Sequence, residues 1–404
     1  CNKILIKFLN TTFIYLLMKE LLLKNKLFLR FWVAQFIIRL TTFIFYIYFI
    51  WIIVVEYKSI FLAGLIPAFS LLGYFIILIP EGYILDKFNR SLISFIFTII
   101  LSFSYSLLIF SNNLLLVYIV DIISSISSSI TFDAFSTITK EVVDKEMYRN
   151  ASAYLQISIN FASIIGIITG GISIYLQNYF PYIITIFSLF AIFLNFPYKL
   201  KIEREKKYSY SDVIKFLKKF LTFLIIGLII NGLFVSIDVY SSGLIYFVLK
   251  SNFIFYTLFI LGFSVGGFIG ALWGNKVAKK LENALLLGIF IFLEGTFMIF
   301  IALNRIVIFD PILTFFMGFF VSLINIPITA LFLTVVPNEM IGRFNSFVTM
   351  IIVGAQPLMA TLFSILSNYF NISYIIFLTG LFMIIVSIPT YISINKLLKL
   401  LFSK

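Results

Sequence analysis

The sequence predicts an all-α integral membrane protein of twelve transmembrane helices in two six-helix, pseudo-symmetric halves. Three observations predict it: the apolar excess of the composition, the one-sided placement of the basic residues, and one long polar segment in the middle of the chain. Of 404 residues, 62% are hydrophobic and 12% are charged, against roughly 45–50% and about 25% in soluble domains. A folded chain of this size cannot hide that much apolar side chain from water, so the bilayer is its solvent.

A span needs about 20 apolar residues. Such stretches fall near 32–55, 60–79, 92–111, 114–135, 153–176, 180–198, 220–248, 253–273, 284–303, 308–333, 345–367 and 372–393. A shorter apolar run, Phe8 to Met18, is flanked by Lys7 and Lys19 and reads as an interfacial helix on the inner face.

Basic residues concentrate in cytoplasmic loops. With the N-terminus inside, twenty-six of the thirty Lys and Arg residues fall on the inner side. Only Lys58, Lys250 and Arg305 fall outside, and Arg39 lies within a span. Both termini are therefore expected in the cytoplasm of a multi-pass protein of the plasma membrane. The net charge of +13 reads as a topology determinant, not as a nucleic-acid footprint.

The long polar segment, Lys199 to Lys219, holds eight of the inner basic residues. It follows six spans and precedes six. The expected organisation is an N-terminal interfacial segment (1–30), a first six-helix half (31–198), a basic cytoplasmic linker (199–219), a second half (220–393) and a cytoplasmic tail (394–404). Two such halves are the mark of transporters built from structural repeats.

Composition also excludes chemistry. The chain has no histidine and one cysteine, Cys1, so no histidine or cysteine metal site is expected and no cofactor. There is no phosphate-binding loop of the Gly-x-x-x-x-Gly-Lys-Ser/Thr type. The acidic residues are scattered, with no acid–base or nucleophile cluster. A membrane-embedded enzyme is the least supported reading.

The two halves repeat a pattern. After span two comes Gly82, then Asp86, Lys87 and Arg90; after span eight comes Gly270, then Gly274, Lys276, Lys279 and Lys280. Each is a glycine at a span end followed by a tight basic loop, and the reading for Gly82, Asp86, Arg90 and Arg343 is a set of gating loops. Asp86 suits a neighbouring helix N-terminus. Span eight carries Gly262, Gly266, Gly270 and Gly274 at four-residue spacing, and span five carries Gly166 and Gly170. Each set lines one helix face, where small residues let backbones approach.

Charges inside the hydrocarbon are expensive and read as functional candidates. Arg39, Asp121, Asp238 and Glu294 lie within spans, and Asp133 lies near the inner end of span four. An Arg39–Asp121 ion pair is one structural alternative to a transport role. The serines after Asp121, from Ser124 to Ser129, line a cavity or bond within their helix.

These residues resemble the major facilitator superfamily, and within it the macrolide-efflux-like branch of drug:proton antiporters. Phe31 to Phe36 is similar to that branch's opening span. Gly82 to Arg90 is similar to the superfamily's loop motif, and Ile164 to Gly171 to its helix-five antiporter motif, with Ile167 where that motif has proline. Asn325 to Pro327, Val336 to Arg343 and Val353 to Pro357 resemble its helix ten and eleven region. The branch's acidic residue near Thr42 and its arginine in helix four are absent; span four has Asp121.

The resemblance implies the major facilitator fold, a monomer, and a midplane cavity lined by spans one, four, seven and ten. It would place Gln35, Arg39, Asp121, Asn231, Asp238, Asn325 and Gln356 on a substrate and ion pathway. The implied partners are a small-molecule substrate, protons or another coupling ion, and membrane lipids. Gradient-driven efflux of amphipathic compounds is the implied function; a lipid or lysolipid flippase or a metabolite transporter is the alternative on the same fold.

Overall fold

The structure is a computed structural model that describes residues 25–143, 147–198, 210–278, 284–336 and 341–402. The expected interfacial helix Phe8–Met18 and residues 199–209 of the linker lie outside the described residues. All regular structure among the described residues is helical. Large apolar side chains such as Phe103, Phe193 and Ile388 are exposed on the outside of the helices, as lipid contact requires.

The spans are, in order, Lys26–Tyr57, Ile60–Lys87, Arg90–Leu107, Leu114–Val142, Tyr148–Ile172, Phe180–Leu194, Leu221–Gly243, Phe253–Ala278, Ala284–Leu303, Asp310–Val335, the pair Ile341–Gly354 and Gln356–Leu366, and Ile372–Phe402. Span one begins at Lys26, inside the segment read as interfacial. Side chains cap the early spans: Asn25 accepts from the Phe28 amide, Ser59 from Leu62, Asn89 from Ser91 and Leu92, and Asn113 from Leu116, satisfying amides that a helix start leaves orphaned.

Among the described residues, eleven helical stretches are long and apolar enough to cross a membrane. One of them, Ile157–Leu194, runs for 38 residues, which at ~1.5 Å per residue is nearly twice the ~30 Å hydrocarbon thickness. It is two spans: Leu176 has non-helical angles (φ −115, ψ 33) between Tyr148–Ile172 and Phe180–Leu194. The stretch is thus spans five and six, and the total is twelve. The described end of the linker is a short helix, Tyr210–Leu217. It buries Val213 and Leu217 against the second half and exposes Asp212 and Lys215.

Two faces of the bundle follow. The linker face carries the start of span one and the helix Tyr210–Leu217. The far face carries the turns at Lys58, Asn112 and Lys250. Lys58 and Lys250 end spans one and seven, the corresponding spans of the two halves. Both adopt left-handed backbone angles, φ 51 and φ 49, and no other non-glycine residue among those described does so. The repeat that the glycine–basic-loop pattern suggests on one face is thus also visible in the backbone of the other.

On the far face the halves share one apolar cluster, which runs from Ile37 through Tyr105 and Tyr240 to Met383. Span two packs on span eleven, and span five on span eight. On the linker face the apolar clusters are separate among the described residues. Phe28, Phe31, Phe135 and Tyr154 form one in the first half; Phe220, Phe332, Phe344 and Leu397 form another in the second. Among the described residues, apolar packing is continuous across the halves at the far face and separate at the linker face.

Candidate functional site

Gln35 and Arg39, one turn apart on span one, both lie against span four. Gln35 is 3% exposed; its Nε2 donates to the Thr131 carbonyl at 2.7 Å, and its Oε1 has no partner. The Arg39 guanidinium lies 4.7 Å from the centre of the Phe132 ring, a cation–π contact. Its buried Nε has no hydrogen-bond partner, and Asp133 and Tyr74 are its electrostatic neighbours.

Asp121 is held from a different direction. Ser70 of span two donates to Asp121 Oδ1 at 2.6 Å, and the Ser125 hydroxyl donates to the Ser70 carbonyl at 2.5 Å. Asp121 Oδ2 is buried without a partner. The Arg39–Asp121 ion pair is not formed: the arginine is on Phe132 and the carboxylate is on Ser70.

Span seven contributes Asn231 and Asp238. Asn231 Nδ2 donates to the Gly227 carbonyl at 2.8 Å, and its Oδ1 accepts from Gln356 Nε2 at 3.5 Å. Asn231 and Gln356 are therefore brought together across spans seven and eleven. Asp238 is half-buried. Tyr46 of span one is partly buried and packs against the apolar cluster that the two halves share. Asn325 on span ten is exposed. Glu294, on span nine, is buried where that span packs on spans ten and twelve.

Aromatic groups close the far face over this set. Trp51 stacks on Tyr256 at 5.5 Å and meets Tyr246 edge-on at 5.8 Å. Tyr175 meets Phe253 at 5.0 Å. Lys58 donates to the Tyr246 hydroxyl and lies 4.4 Å from its ring centre. Gly171 abuts Thr257, which lets spans five and eight touch across the halves.

The glycine faces differ in what they meet. A Cβ at Gly262, Gly266 or Gly270 would collide with the carbonyls of Pro311, Phe315 or Phe319 on span ten, and Gly318 answers from that side. Gly166 and Gly170 press on Phe43 and Ile47 of span one. A Cβ at Gly82 would meet no described residue within 4 Å. Arg90 Nε donates to the Leu85 carbonyl at 3.2 Å. The side chains of Asp86 and Arg343 lie outside the described set.

Sequence reasoning missed Ser70, Tyr46, Trp51, Tyr246 and Glu81. Glu81 is 4% exposed and accepts from Ser129 Oγ at 2.9 Å. It lies past Leu78, where the hydrophobic span ends. The signal available was its position, a charge immediately before the Gly82 loop.

Two helical bundles that pack together on one face, with a sparse polar set between and within them, have the architecture of a membrane transporter built from two repeats. The chain belongs to the Major Facilitator Superfamily: the family model matches residues 31–352. Solved structures agree in fold. A bacterial homolog of the human lysosomal transporter Spinster, inward-facing and unoccupied, is similar at a TM-score of 0.74 and 11% identity, covering 93% of this chain and 98% of that one. A point mutant of the nucleoside transporter NupG is similar at 0.71 and 12% identity, covering 92% and 99%. No curated protein matches the chain significantly.

Proposed function

We propose that this chain is a secondary transporter of the macrolide-efflux-like branch, exporting amphipathic compounds from the cytoplasm across the plasma membrane at the expense of an ion gradient. The branch rests on the motif resemblances at 31–36, 164–171 and 325–357. With the basic linker face in the cytoplasm, the conformation is inward-facing, and the two six-helix halves rock about the polar set to expose it alternately. The working unit is a monomer. Substrate contacts fall to Gln35, Arg39, Asn231, Asn325 and Gln356, and the loops of Gly82, Asp86, Arg90 and Arg343 latch the cytoplasmic side when it closes.

One observation carries the reading: Asp121 of one half is buried within its span with one carboxyl oxygen unpartnered, and Asp238 stands half-buried within span seven of the other half. A proton arriving at either carboxyl removes a buried charge at the boundary between halves. That changes the relative stability of the two conformations, which is what coupling requires.

The test is reconstitution in liposomes with an imposed pH gradient and a panel of fluorescent amphipathic compounds, with and without a protonophore. Extrusion abolished by the protonophore supports the reading. Lipid analogues equilibrating between leaflets without gradient dependence would replace it with a flippase.

A further inference from the structure

The far-face end of the first half holds a cavity of about 350 Å³. Its walls come from spans one, three, four and six and from the turns that join three to four and five to six. No described residue of the second half lines it, so it lies apart from the polar set between the halves. Its volume is at the small end for ligand pockets. It has room for a cationic head and a few carbons, not for a drug-sized molecule.

The lining is aromatic with one charge. Tyr48, Phe49, Tyr57 and Tyr182 supply rings, and Glu56, in the last turn of span one, supplies a carboxylate. Among the described residues no Lys or Arg lines the cavity. The next basic residue along the chain, Lys58, is committed to the hydroxyl and ring of Tyr246 in the other half. The charge of the cavity wall is therefore negative and uncompensated.

An exposed carboxylate alone is an ordinary solvated charge, but a second observation points to a ligand. Tyr48 is 5% exposed and its ring stacks on Phe180 at 3.6 Å. Among the described residues no hydrogen bond reaches its hydroxyl. A buried phenol is normally partnered, and the cavity that Tyr48 lines is where a partner from outside the chain fits. The repeat does not account for the carboxylate. Lys58 and Lys250 hold equivalent places in the two halves, so Glu56 corresponds to Val248.

We infer that this cavity binds a small organic ammonium cation, held by the Glu56 carboxylate and the surrounding aromatic rings. Aromatic rings attract such cations through their negative faces, and the carboxylate supplies the opposite charge. A zwitterionic lipid head would also bring a phosphate, for which the lining has no basic residue, so the occupant is a free cation. Glu56 and Tyr57 are exposed, so the site is reached from the far face. It goes beyond the proposed transport function and does not depend on it.

The experiment uses the full chain in nanodiscs of phosphatidylglycerol, a lipid with no ammonium group, with empty nanodiscs as background. Choline is the probe. Its uncharged isostere, with carbon in place of the quaternary nitrogen, is the control. Titration calorimetry and saturation-transfer NMR follow binding. The expected result is saturable choline binding that weakens about fivefold in Glu56→Gln and about two- to fivefold in Tyr182→Leu. Both side chains are exposed, so neither change opens the core. The double variant Asp121→Asn, Asp238→Asn is expected to bind as the unaltered chain does, which separates this site from the transport pathway. Absence of saturable binding, or binding indifferent to Glu56→Gln, overturns the site. Equal binding of the isostere overturns the cationic class. Displacement of choline when phosphatidylethanolamine replaces part of the lipid would make the occupant a lipid head and overturn the assignment to a free cation.

Discussion

Lys58 donates a hydrogen bond to the phenol oxygen of Tyr246 and also lies 4.4 Å from the centre of that ring. Lys58 closes span one and Tyr246 lies in the π-helical turn Leu244–Val248 that continues span seven, so this contact spans the two halves at the far face. It is exposed to water, where such a contact contributes on the order of 0.5–1 kcal/mol. Tyr246→Ala is expected to shift the balance toward an open far face by about three- to fivefold, and Tyr246→Phe by less, because the ring remains. Distances between labels at Asn112→Cys and Asn252→Cys in a Cys1→Ser background would read the shift. An unchanged distance distribution in Tyr246→Ala would show that Trp51 and the apolar contacts hold the face without it.

Span two approaches span eleven closely enough to be locked there. A Cβ at Gly64 would lie 3.2 Å from the Cβ of Ser364, slightly tighter than the ~3.5–4.5 Å that disulfides span. A small relaxation away from Val239, which crowds the same spot, brings it into range. Gly64→Cys with Ser364→Cys is expected to cross-link on mild oxidation. Transport then stops and returns with reductant, while either single variant stays unaffected by the oxidant. Full transport by the cross-linked protein would exclude opening between these two spans.

Gly266 and Gly82 give opposite expectations for the same change. In an unconstrained helix Gly→Ala is favourable by about 1 kcal/mol. At Gly82 a methyl group meets open space, so Gly82→Ala leaves the thermal midpoint in detergent unchanged or slightly raised. At Gly266 it meets the Phe315 backbone, and spans eight and ten have to separate; overpacking of this kind costs about 1–3 kcal/mol. Equal midpoints for the two variants would mean that the contact between spans eight and ten is looser than described.

The span pattern was legible because it is written locally. A run of apolar residues, its flanking charges and its capping Asn or Ser lie within one stretch of chain, and the break at Leu176 sits beside Gln177 and Pro181. The four-residue glycine spacing likewise marked a face of span eight, but nothing local named span ten as its partner. Polar pairing was not legible. Ser70 reaches Asp121 across 51 positions, and Lys58 reaches Tyr246 across 188; no period or motif connects them. Arg39 illustrates the limit: the sequence offered Asp121 as a partner, and packing gave it the face of Phe132.

Buried polar groups at the linker-face end of span six make a stability prediction. Asn195 Nδ2 donates to both Ser94 Oγ and Thr98 Oγ1 at 2.7 Å, and all three residues are fully buried. Both hydroxyls can turn to carbonyls of their own helix, as Thr98 already does toward Ser94, so losing the amide does not strand them. Asn195→Leu therefore costs about 1 kcal/mol, near the average for interhelical hydrogen bonds in membranes, read as a modest fall in thermal midpoint. A loss several times larger would show that the amide fixes the approach of span six to span three.

Asp121 permits a separation of structural from transport roles, because its visible structural task is to accept one hydrogen bond. Asparagine in its place keeps an oxygen for Ser70 to donate to, and differs chiefly in having no proton to exchange. Leucine removes the acceptor as well and strands the Ser70 hydroxyl, at about 1–3 kcal/mol for an unsatisfied buried group. Asp121→Asn is therefore expected to hold its thermal midpoint close to that of the unaltered chain and to retain downhill exchange, while losing gradient-driven accumulation. Asp121→Leu is expected to lose stability and both activities together. If Asp121→Asn and Asp238→Asn, alone and combined, accumulate substrate against a gradient at the original rate, these carboxyls only hold helices together and coupling lies elsewhere.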